Sequence, residues 1–196
     1  SVMNYKKPAF WIILASALIC AAAAVCFLTN PKTEQIPPSG GDNVSDMGPA
    51  QTEKWFDYLE NPEEMNWDGR LEIDLPEYPG VTFRCYPEKM EAVTENEITP
   101  LYTGMPIWNT YFCDLTGDGL PDLCSTVTFG SGIIDSRIIV CDYANGESYT
   151  LEDRGKYDYS LRLDGSDGSL CVVQRAHDSG DIAAVGELSF SDSGLH

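Results

Sequence analysis

Hydrophobic positions along the chain fall into three regimes. From Ala9 to Leu28 they are continuous: AFWIILASALICAAAAVCFL holds no charge and hardly a polar group. At about 1.5 Å per helical residue this run covers about 30 Å, the depth of a bilayer's hydrocarbon core. It predicts a transmembrane α-helix over residues 9–29, with residues 1–8 as its flank. From residue 30 to about 50 (NPKTEQIPPSGGDNVSDMGPA) Pro, Gly, Ser and acids take over and periodicity is lost. Such a stretch cannot bury enough surface to offset its ordering entropy, so it reads as a flexible linker. The linker is expected to reach residue 66, with a short helix at 51–60 (QTEKWFDYLE) presenting Trp55, Tyr58 and Leu59 on one side.

The third regime, residues 67–196, is one of short β-rich runs between turn signals. They are LEIDL (71–75), VTFRCY (81–86), NTYFCDL (109–115), LCSTVTF (123–129), RIIVCDY (137–143), ESYTL (147–151), YSLRL (159–163), SLCVVQ (169–174) and VGELSF (185–190). Asn145-Gly146 joins two of them, and this dipeptide favours the positive φ of a tight hairpin turn. Asp164-Gly165-Ser166-Asp167-Gly168 joins another pair. The expected fold class is therefore mainly β: an antiparallel meander or sandwich-like domain, carried behind one transmembrane helix and a linker.

Charge sets the orientation and removes some partners. Lys6 and Lys7 precede the apolar run, and behind it Lys32 is soon followed by Glu34. The positive-inside rule then places the N-terminus in the cytoplasm and the β domain outside the cell. Ten of the twelve Lys and Arg, against all 31 Asp and Glu, follow the segment. A region so acidic is not expected to bind nucleic acid or anionic lipid surfaces. The bulky Val-Cys-Phe-Leu end of the run offers no small-x-small cleavage site, so a retained anchor is expected rather than a removed signal peptide.

Candidate chemistry concentrates in one loop, Asp114-Leu-Thr116-Gly-Asp118-Gly119-Leu120-Pro-Asp122. Asp114, Thr116, Asp118 and Asp122 take positions 1, 3, 5 and 9 of a calcium loop, and the Leu120 carbonyl takes position 7. Gly119 allows the tight curl. Position 12 is Ser125 rather than the bidentate Glu of an EF-hand, so the pattern is closer to the DxxGDGxxDL loops of FG-GAP repeats. The alternative is a metal-free turn in which the carboxylates cap backbone NH groups. Five cysteines outside the span (Cys85, Cys113, Cys124, Cys141, Cys171) lie within predicted strands with no CxxC or paired Cys/His spacing. They read as buried thiols, although an exterior location permits disulfides. HExxH, GxSxG and Ser-x-x-Lys do not occur, and His177 beside Asp178 reads as a solvated loop residue. No catalysis by this chain is expected.

Two stretches carry a family resemblance. YKKPAFWIILASALICAAAAVCFLTNPK resembles the last transmembrane helix of BlaR/MecR-type membrane metallopeptidases of Gram-positive bacteria. GMPIWNTYFCDLTGDGLPDLCSTVTFGSGIIDSRIIVCDYANGESYTL resembles the extracytoplasmic C-terminal domain attached to many of them. The resemblance implies that this chain is the C-terminal part of such a protein. Its partners would be the membrane, an upstream transmembrane peptidase region and an extracellular ligand. The peptidase's HExxH and the Ser-x-x-Lys of the penicillin-binding members are not in this sequence, so neither activity passes to any residue here. What the resemblance implies is an outer sensor domain. The second expectation is a calcium-stabilised surface-binding or scaffold module, and the third an extracellular hydrolase hidden among the many acids.

Overall fold

The structure, a computed structural model, describes residues 52–130, 132–191 and 194–196. The apolar segment 9–29 and most of the linker lie outside the described residues. Among the described residues no helix is long and apolar enough to cross a membrane.

The described part is mainly β and antiparallel throughout. The strands are β1 (Glu53–Asp57), β2 (Leu71–Asp74), β3 (Thr82–Tyr86), β4 (Lys89–Val93), β5 (Ile98–Thr103), β6 (Ile107–Cys113) and β7 (Asp122–Phe129). They continue as β8 (Asp135–Asp142), β9 (Glu147–Leu151), β10 (Tyr157–Leu163), β11 (Leu170–Ala176), β12 (Ile182–Glu187), β13 (Phe190–Ser191) and β14 (Gly194–Leu195). A central sheet has the order β1-β6-β7-β8-β9. A sheet β2-β3-β4-β5 covers one of its faces, and a sheet β10-β11-β12 covers the other.

Alternation along the central strands produces these layers. Leu123, Val127, Ile139 and Cys141 join Phe83, Cys85, Met90 and Tyr102 of the β2–β5 sheet in one core. Their neighbours Cys124, Ile138 and Val140 join Tyr159, Leu161, Leu170 and Val172 of the β10–β12 sheet in a second core. A strand covered on both faces reads as a continuous buried run, and seven of the eight residues of β7 are buried. The expected one- or two-layer meander is thus three layers, because the central strands are apolar on both sides.

The helix expected at 51–60 is not formed by the described residues 52–60. Residues 53–57 form β1, paired antiparallel with β6 (Glu53↔Phe112 to Asp57↔Asn109) across a register shift between Lys54 and Phe56. A ten-residue helix has little stability of its own. The strand instead gains a ladder on β6, buries Phe56, and stacks Trp55 on Phe112 at 5.7 Å between centroids. The folded domain therefore takes in residues assigned to the linker, including a 3-10 turn at Pro62–Glu64. Strands β4 and β5 were not expected either. At the Asn145-Gly146 connection only Gly146 has positive φ (69°), and Asp142 Oδ1 accepts from Asn145 N at 2.9 Å. The link is a four-residue loop rather than a two-residue hairpin turn.

Candidate functional site

The predicted loop lies where β6 hands over to β7, and its carboxylates hold its own backbone. Asp114 accepts from Gly117 N (2.8 Å) and Gly119 N (2.9 Å). Gly117 and Gly119 stand at φ 80° and 88°, a region that side chains with a Cβ rarely enter. Asp118 accepts from Leu120 N at 2.8 Å and from Asn145 Nδ2 at 2.9 Å, which ties the loop to the β8–β9 turn. Asp122, buried at the start of β7, accepts from Leu115 N (2.8 Å) and Thr116 N (2.9 Å), with Thr116 Oγ1 more distant at 3.4 Å. Leu120 packs against the first core, and Pro121 O accepts from Tyr78 OH at 2.9 Å.

Burial pushes the Asp122 carboxyl up to about 6, against the pull of the Thr116 and Leu115 NH groups, and the nearby Asp142 adds to the rise. All four predicted side chains thus share one loop, and each already accepts or donates within it. Among the described residues no set of three or more His, Cys, Asp and Glu is placed to hold a metal. A carboxylate oxygen has two lone pairs, so an NH bond does not exhaust it. A cation here would need the same oxygens to turn partly away from the amides they cap.

The five cysteines Cys85, Cys113, Cys124, Cys141 and Cys171 are buried free thiols. Cys113 and Cys124 approach to 3.5 Å between sulfurs at the foot of the loop. That contact, followed by burial, raises the Cys124 thiol well above its usual range.

A second site lies on the face of the central sheet that meets β10, where residues not singled out from sequence converge. Asn109, fully buried on β6, donates through Nδ2 to Asp57 Oδ2 (3.1 Å) and to the Leu161 carbonyl (2.9 Å). Its Oδ1 accepts from Thr126 N at 3.1 Å. Thr126 Oγ1 in turn accepts from Leu161 N at 2.8 Å. Asp57 also accepts from Leu59 N (2.8 Å), Glu60 N (3.1 Å) and Tyr111 OH. Side chains of the central sheet therefore occupy both backbone groups of Leu161, and β10 is pinned at that point.

Beside this pin a cleft of about 420 Å³ opens, lined among others by Asp57, Leu59, Trp108, Asp158, Arg162 and Arg175. Its size suits a small ligand, and the residues of its walls are mostly polar and charged, with Leu59, Trp108, Leu161 and Val173 as the apolar part. Trp108 is held by Nε1 donating to Thr128 Oγ1 at 2.7 Å. Asp158 is held by Ser136 N (2.7 Å) and by His177 Nδ1 (2.9 Å). His177 is thus a half-buried partner of Asp158 rather than a solvated loop residue. The sequence signal for this site was polar residues within runs that otherwise read as core: Asn109 in β6 and Thr126 in β7. Compared with known protein families, characterised proteins and solved structures, the chain gives no match.

Proposed function

We propose that this chain is the membrane-anchored, extracytoplasmic sensor domain of a BlaR/MecR-like signalling peptidase, with no catalytic role of its own. In this reading residues 9–29 are the last transmembrane helix, the N-terminus is cytoplasmic, and the β domain meets an extracellular ligand. The observation that supports it most is the cleft beside the Leu161 pin. It joins an indole, two exposed guanidinium groups and a fixed carboxylate in one concavity whose floor is a strand held by side-chain bonds. A ligand that prefers one position of β10 would shift the equilibrium between two states of the domain, which is the physical requirement for a sensor.

The test begins with the coding sequence upstream of Ser1. A multi-span segment bearing HExxH, with a winged-helix repressor gene beside it, is the expected result. An in-frame stop just upstream would sink the reading. In the parent system, Trp108→Phe combined with Arg162→Ala is expected to abolish repressor release while leaving membrane insertion unchanged.

A second reading is a calcium-stabilised surface module without signalling, favoured by Asp114, Thr116, Asp118 and Asp122 sharing one glycine-curled loop with the Leu120 carbonyl. Calcium bound to the folded form alone raises the melting temperature by mass action. Millimolar calcium against chelator is expected to separate the two melts by a few degrees, and Asp114→Asn with Asp118→Asn to erase the difference. Coincident melts for the unmodified chain remove the ion from the account.

A further inference from the structure

We propose that β12 is a docking edge for a second copy of this chain, the two strands pairing antiparallel about Val185 so that two three-stranded sheets become one of six. This inference does not rest on the sensor reading or on the calcium loop, and it shares with the cleft only Arg175. β12 is the outermost strand of the β10-β11-β12 sheet, and all six of its residues are exposed, Ile182 by 54% and Val185 by 45%. Its sequence, IAAVGE, has one charge and no proline. Protein edges are ordinarily defended by charges, prolines or a covering segment, and an apolar edge without them is a template for another strand.

The backbone fixes how a second copy can meet it. Leu188 N donates to Leu170 O at 2.8 Å, so Leu188 and Gly186 turn their hydrogen-bonding groups toward β11. The alternation then turns those of Val185 and Glu187 outward. In an antiparallel pair, outward residues must face outward residues. Pairing about Val185 sets it against Val185 of the second copy, and Ala183 against Glu187 of the second copy.

Charge selects the occupant. Cross-strand neighbours share a sheet face, and the pairs Cys171↔Glu187, Val173↔Val185 and Arg175↔Ile182 place Glu187, Val185 and Arg175 on one face. The register shift between Gln174 and Arg175 leaves Ala183 without a cross-strand partner, between Ala184 and Ile182, the residue opposite Arg175. In the paired arrangement Glu187 of the second copy faces Ala183, so the path from Arg175 to it crosses β12 past this small residue. The path spans two strand spacings, about 10 Å, within reach of two long side chains. Two such ion pairs would flank the central valines by symmetry. Arg175 is exposed and its guanidinium donates one long bond, to Gly180 O at 3.4 Å. In a chain of net charge −19, copies repel over most of their surface, and this edge supplies the matching signs.

Sedimentation velocity of the full chain in non-ionic detergent micelles, over a micromolar concentration series, tests the pairing. The expected species is a dimer. Val185→Lys, which sets two ammonium groups face to face, should weaken it by at least about tenfold with an unchanged circular dichroism spectrum. Glu187→Arg and Arg175→Glu should each weaken it several-fold, and the two together should restore it. The proposal is overturned by a chain that stays monomeric, by a dimer indifferent to Val185→Lys, or by a double charge reversal that restores nothing.

Discussion

The two faces of the central sheet hold their covering layers by different physics. Toward the β2–β5 sheet the contact is mostly aromatic and aliphatic: Phe83 is fully buried and meets Tyr78, Phe112 and Tyr143 at 5.2–6.2 Å between centroids, and one hydroxyl contact crosses it, Tyr102 OH with Ser125 Oγ at 2.6 Å. The aromatic and aliphatic packing is non-directional, and it tolerates a change of shape better than a change of polarity. Toward the β10–β12 sheet, aliphatic contacts surround a directional core in which Asn109, Thr126 and Asp57 position one residue of β10. The first face supplies mainly adhesion, with one hydroxyl contact across it. The second supplies adhesion and a set position, and the cleft lies on the second.

The sharpest way to break this comparison is a pair of substitutions to leucine. Asn109→Leu would strand the Leu161 carbonyl and the Thr126 NH away from water, where each unsatisfied group costs about 1–3 kcal/mol, so a loss of about 3–5 kcal/mol is expected. Phe83→Leu keeps most of its apolar volume and should cost about 1–1.5 kcal/mol. Urea unfolding measures both. Equal losses would mean that the two faces are held alike and that the polar network is incidental.

Thr126→Val sharpens the same point at one bond. The shape is conserved and the hydroxyl that accepts from Leu161 N is lost, for about 1–3 kcal/mol. The local readout is amide exchange at Leu161, which should accelerate more than at its neighbours in β10. Uniform acceleration along β10 would show that no pin exists there.

This contrast also explains how much could be read from the chain. Runs such as LCSTVTF and RIIVCDY announce strands because β-branched and aromatic residues recur between turn signals, and β7 and β8 lie where those runs predict. The layering was less legible, since a run buried on both sides loses the alternation that would identify its faces. β4 (KMEAV) carries Glu, Lys, Met and Ala, which favour helix, and only its pairing with β3 and β5 makes it a strand. β1 was misread for the same reason: its partner β6 lies some fifty residues further on, and a local pattern cannot contain it. The Asp114–Asp122 loop was legible because its residues are contiguous. The cleft was not, because Asp57, Trp108, Arg162 and Arg175 meet only after three layers have formed.

The smallest expected effect compares two of the buried carboxylates, Asp57 and Asp122. Asp57 accepts from two backbone NH groups, an amide and a phenol. Asp122 has two backbone NH groups and one long hydroxyl contact, and its carboxyl stands at about 6 in the fold against 3.8 ordinarily. Between those values the folded chain holds a proton that the unfolded chain has released. The stabilisation is full below about pH 4 and lost as pH rises through about 6. Against Asp122→Asn, which does not titrate, the unmodified chain should therefore lose on the order of 1–2 kcal/mol between pH 4 and 6.5, after discounting for solvent screening. Urea unfolding of both proteins across that window gives the difference free of the other carboxylates. A flat difference would mean that the NH groups of Leu115 and Thr116 offset the burial of Asp122 in full.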